Sequence, residues 1–86
     1  MTNYSCLKCC CKHVARAFGF MSQWGSGYYP QDKWLVIGEL SHAEDHVINI
    51  DPDLHWSIVA ARKKVEENLI VDLYPLLVEL DKKISN

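Results

Sequence analysis

Apolar residues return along this chain at alternating steps of four and three, the period of a helix buried on one side. Over residues 4–24 the stripe is Leu7, Cys11, Val14, Phe18 and Met21. Asn3 or Ser5 can cap its start, and Gly25-Ser26-Gly27 stops it. Val36, Leu40, Ala43 and Val47, with Ile37 and Ile50 alongside, predict a second helix over 33–49 with Asp32 as its N-cap. Asp51-Pro52 is the sharpest boundary, a capping carboxylate followed by proline at the first helical position. The third helix then runs over 52–68, with Leu54, Ile58, Ala61, Val65 and Leu69 inward and Lys63, Lys64, Glu66 and Glu67 outward.

Leu69 to Tyr74 reads as a break, because a lone strand would have no partner. Asp72 caps a fourth helix over 73–84, with Pro75 in its first turn and Leu76, Leu77, Leu80 and Ile84 as its buried set. A third helix running on into the fourth through a kink is the alternative. The expected fold is all-α: one domain over 1–86, a small helical bundle with an antiparallel helix 1–helix 2 hairpin, a third helix and a shorter fourth. Folding the short first connection about residue 28 sets residue 10 opposite residue 46 and residue 13 opposite residue 43. Gly19 and Gly38 lie inside their stripes, where glycine costs about 1 kcal/mol relative to alanine. A close helix crossing is the expected reason for both.

Composition narrows the class. With 86 residues, 49% of them hydrophobic, the chain holds one core and is globular. A core this small commonly gains help from a metal, a disulfide or self-association. No apolar run is long enough to span a bilayer and no apolar signal segment follows Met1, which predicts no membrane partner and a cytoplasmic location. The net charge of −2 argues against nucleic acid as a partner. Its distribution is uneven: residues 1–31 carry Lys8, Lys12 and Arg16 and no acid, while 34–60 carry Glu39, Glu44, Asp45, Asp51 and Asp53 and no Lys or Arg. A basic first helix against an acidic second, within a chain or between subunits, follows from that split.

Three clusters could carry chemistry. Cys6, Cys9, Cys10 and Cys11 fall within six residues, followed by His13. Such spacing suits reduced thiols better than disulfides. Cys6, Cys10 and His13 share one helical face, and the hairpin brings His42 and His46 level with them. Two sulfurs and two imidazoles are a tetrahedral zinc ligand set, with Cys9 able to replace Cys10 and Glu39 or Glu44 available as a base. The bland alternative is packed thiols beside solvated histidines.

Lys8, Lys12 and Arg16 repeat every four residues, bordered by His13 and followed by Tyr28, Tyr29 and Trp34. Lys12, His13 and Arg16 with Tyr28 or Tyr29 could hold an anionic small molecule, phosphate on the cations and a base on a ring. A solvated basic face paired with acids of the second helix is the alternative. Cys9 with His13 is a possible thiol–imidazole pair, but no oxyanion-hole or glycine-rich nucleophile turn accompanies it, so no enzymatic activity is expected. Trp24, Tyr28, Tyr29, Trp34 and Trp56 are more large rings than so small a unit can bury. Some should lie at a subunit interface or pocket, or seal one end of the bundle.

The segment Cys6-x2-Cys9-x2-Lys12-His13, then Gly27-Tyr28-Tyr29-Pro30, then Trp34 and Ile37-Gly38-x-Leu40-x2-Ala43-Glu44-Asp45, resembles a family of small helical proteins encoded by phages and prophages. That resemblance covers about half the chain and implies a phage accessory protein acting in the cytoplasm of a bacterial host. The leading expectation is non-enzymatic binding of an anionic small molecule, with a nucleotide signal of host defence as the object sequestered. A zinc-stabilised module that binds and inhibits a host protein is the rival. Homo-oligomerisation is expected in either case.

Overall fold

A computed structural model describes the backbone of residues 3–25 and 32–85, with side chains from residues 7–24 and 32–85. The described residues form four helices: α1 (Asn3–Gly25), α2 (Asp32–Val47), α3 (Pro52–Glu66) and α4 (Tyr74–Ser85). There is no strand among the described residues. The expected all-α bundle is therefore the observed fold. Helix α1 packs along α2 as an antiparallel hairpin, α3 packs on α2, and α4 returns along α1. Two pairs at one end of the bundle fix these directions. Lys33 at the start of α2 donates to Asn68 Oδ1 beyond the end of α3 (2.7 Å). Phe18 of α1 meets Tyr74 at the start of α4, ring centres 6.4 Å apart. The body measures 39 × 19 × 19 Å.

One apolar core joins the four helices. Cys10, Val14, Ala17 and Met21 come from α1, and Val36, Leu40, Ala43 and Val47 from α2. Leu54, Ile58, Ala61 and Val65 of α3, with Leu73 and Leu80, complete it. Each fully buried Leu, Ile or Val contributes about 1.5–3 kcal/mol of transfer free energy. The stripe of α2 lies where its periodicity puts it. That of α1 is rotated: Cys10 and Ala17 are enclosed, while Phe18 is exposed. The cause is that α1 has two neighbours. Positions such as Cys11 and Phe18 form the edge toward α4, beside Ile84 and Tyr74, where they are only partly covered. Leu69 is also outside the core, at 50% exposure, because the chain has turned before it.

That turn is a Schellman closure. Asn68 takes a left-handed φ of 67°. Its N–H donates to the Val65 carbonyl, and that of Leu69 to the Lys64 carbonyl, both at 2.9 Å. Asparagine tolerates this conformation better than most residues, so α3 ends here and does not run on into α4. Asp72 accepts from the Tyr74 N–H (3.0 Å) as the expected cap of α4. Asp32 differs from expectation. It opens α2 itself, buried, with Oδ2 lacking a hydrogen-bond partner among the described residues.

Neither Gly19 nor Gly38 marks a close crossing. A Cβ at Gly19 or Gly38 would meet nothing within 4 Å. With the steric reason gone, only the entropic cost remains. Gly19→Ala should therefore raise the unfolding free energy by about 0.5–1 kcal/mol. Urea denaturation followed by circular dichroism checks this, and a loss of stability would mean that the position is not open.

Asp51 closes the N-terminus of α3, its side chain accepting from the Leu54 N–H at 3.1 Å. It also pairs with Lys83 of α4. The Lys83 hydrogen bond, then the Leu54 N–H, hold its carboxyl below the ordinary value of 3.8. A carboxyl whose value is lowered by folding stabilises the native state above its unfolded value. That contribution is lost as pH falls through the lowered native value. Asp51→Ala should cost about 1 kcal/mol at neutral pH through the lost cap. It should also flatten the acid limb of the stability–pH curve, measured by urea titrations at a series of pH values. An unchanged acid limb would assign acid sensitivity to other carboxylates.

Candidate functional site

His13 lies at the centre of the α1–α2 contact. Its Nδ1 lies 2.7 Å from Glu39 Oε1. An ionised carboxylate only accepts, so Nδ1 donates this bond. The ring stacks on two others from α2, His42 at 5.2 Å and 27°, and His46 at 5.4 Å and 16°. His42 and His46 share a face because they are one turn apart. The antiparallel register delivers His13 to that face, where the expected pairing of 13 with 43 places it. His42 is exposed; His13 and His46 are half-buried.

The cysteines do not join this group as a set. Cys10 is wholly buried in the apolar core. Burial first, and then neighbouring Cys11, push its thiol up to about 12. A thiolate there would lose the solvation that an ion needs. Cys9 is exposed, and Cys11 is half-buried toward α4. Burial and then Asp81 raise the Cys11 thiol above its ordinary value. The side chain of Cys6, and Tyr28 and Tyr29, lie outside the described residues. Among the described residues, no group of three or more His, Cys, Asp or Glu side chains stands ready to hold a metal ion. The histidine geometry gives the reason: imidazole lone pairs lie in the ring planes, and stacked rings aim them side by side.

The basic stripe divides from His13. Lys8 and Lys12 line a groove of about 330 Å³ with Cys11, Ala15 and Ile84, between α1 and α4. Arg16, also exposed, continues that stripe by one turn. At about 1.5 Å per residue, Lys12 lies about 20 Å along α1 from Gly25, where the described helix ends. Two acids of α2 are engaged elsewhere: Glu39 by His13, and buried Glu44 by Arg62 of α3, which also reaches Glu66 at 3.0 Å. Glu44 also offers its carbonyl to His55 Nδ1 at 3.3 Å. It is thus a structural carboxylate, and Glu39 is the acid at the histidines. The Glu44–Arg62 pair has no local spacing signal, since it joins different helices. A larger concavity of about 420 Å³ is lined by Tyr74, Leu77, Val78, Asp81 and Lys82. All five come from α4, so no second element closes it.

Trp34 and Trp56 are 68% and 63% exposed. Trp24 packs against the core. Trp34 and Leu35 open α2 at the same end of the bundle as Leu69 and Ile70, and all four are exposed. No described helix is long and apolar enough to cross a membrane. No protein-family model, curated protein or solved structure matches this chain.

Thiol placement has a direct readout. Iodoacetamide at mildly alkaline pH should modify Cys9 in the folded protein and leave Cys10 untouched until denaturant is added, followed by peptide mass spectrometry. Equal native rates at Cys9 and Cys10 would contradict the buried position of Cys10.

Proposed function

We propose that this chain is a non-enzymatic binding protein for an anionic small molecule held between α1 and α4. The observation that carries this reading is the groove, an almost wholly apolar floor of Cys11, Ala15, Ile84 and the stems of Lys8 and Lys12, bordered by the exposed basic stripe of α1. A phosphate would sit on the cations and a base or other flat group on the apolar floor. At about 330 Å³ the groove is at the lower end of small-molecule sites, which favours a mononucleotide-sized ligand. Arg16 extends the cationic rim. His13, bonded to Glu39, faces the other flank and takes no part. In the setting implied by the resemblance, the protein is a phage accessory factor that sequesters a nucleotide signal of host defence.

A second reading keeps the resemblance and changes the partner: a zinc-stabilised module that docks on a host protein. Its support is the exposed apolar group Trp34, Leu35, Leu69 and Ile70 at one end of the bundle. The same surface would serve self-association.

Calorimetric titration against a panel of mono- and dinucleotides tests the first reading. Lys12→Ala and Arg16→Ala should each weaken binding several-fold. Asp81→Asn, which removes the negative charge near Cys11, should strengthen it. Absence of heat across the panel, or heat indifferent to all three substitutions, would refute the groove as the site.

A further inference from the structure

We propose that two copies of this chain pair through α4, laid antiparallel, so that Tyr74, Leu77, Val78, Asp81 and Lys82 of each copy meet the same stripe of the other. This pairing goes beyond the anion groove and needs no ligand in it.

Helix α4 is the least enclosed of the four. It packs chiefly on α1, and among its described residues only Leu80 is buried. The five residues of the stripe follow one another at steps of three, one, three and one, so they share a helical face. They floor the concavity of about 420 Å³ that no second helix closes. Leu77 and Val78 are half-buried there, and Tyr74 is 59% exposed. Phe18 of α1 borders Tyr74 and widens the apolar surface.

The order of chemistry along the stripe identifies what covers it. A symmetric pair turns one patch on itself. With the two-fold axis beside Leu77 and Val78, the four apolar side chains of the two copies meet at the centre. Reversal of direction then brings Tyr74 of each copy level with Asp81 of the other, with Lys82 one residue away. The phenol O–H can donate to that carboxylate, and the ammonium can lie against the ring. Both contacts occur twice. Asp81 and Lys82 cancel in charge, so the two faces do not repel. Among the described residues, neither forms an ion pair within the chain, which leaves both for a partner. The exposed apolar group around Trp34 is less suited to pairing with itself: Lys33 already lies over the Trp34 ring at 5.1 Å and is bonded to Asn68. One helical face removes less than the roughly 800 Å² per copy of a standard interface, which makes this a weak pair, with a dissociation constant of about 10–100 μM.

The test uses the full chain with a thiol reductant present, so that exposed Cys9 cannot cross-link it, and no added ligand. Sedimentation equilibrium over about 5–500 μM, which spans that range, should show the mass rising from 9.9 kDa toward twice that value. Tyr74→Ser and Asp81→Lys, both at exposed positions, should each weaken association at least about fivefold, with helix content by circular dichroism unchanged. Val78→Asp should abolish it, and Trp34→Ser should leave it unaltered. A single-chain mass at every concentration would overturn the proposal. Association indifferent to Tyr74→Ser and Asp81→Lys would also overturn it, and so would association lost in Trp34→Ser, which would move the interface to the other apolar group. The two exposed variants decide the matter even if Val78→Asp fails to fold.

Discussion

The seam between α1 and α2 is the constraint from which the rest of this structure follows. Val14, Ala17 and Met21 share one core with Val36, Leu40 and Ala43, all enclosed. A slip of one residue would turn apolar positions out of that core and polar ones into it. The seam therefore sets one register, and that register puts His13 against Glu39, His42 and His46. Helices α3 and α4 add to the core without entering the histidine cluster.

Charge is organised around that core by helix neighbours. Glu44, nearly buried, is answered by Arg62 from α3, and half-buried Glu39 by His13 from α1. An unpaired carboxylate at either depth would be costly, more so for Glu44. Lys8 and Lys12 instead border α4 and a groove. Within the chain, the basic residues of α1 border α4 because a helix in a bundle has more than one neighbour. Two chemically different surfaces result on α1, one of stacked imidazoles and one of ammonium groups.

The same point explains which features of the candidate sites were legible along the chain. His42 and His46 are one turn apart, so local spacing reveals that they share a face. Their level with His13 follows from hairpin length. The fate of Cys10 does not follow, because Cys10 and Cys11 have nearly equal claims on the buried side and only the position of α4 separates them. Glu39 and Glu44 look alike in sequence. One supports an imidazole and the other closes an ion pair because α3 reaches Glu44.

Local chemistry was enough to place the four helices and most of their ends: Asp51-Pro52 starts α3, Asp72 starts α4, and the apolar stripes of α2 and α3 face inward. These depend on backbone hydrogen bonding and periodicity, which act over a few residues. Tertiary packing decided the rotation of α1, the enclosure of Cys10, the exposure of Phe18 and Leu69, and the openness around Gly19 and Gly38. Those outcomes depend on which neighbour occupies each flank of a helix, and no stretch of a few residues carries that information.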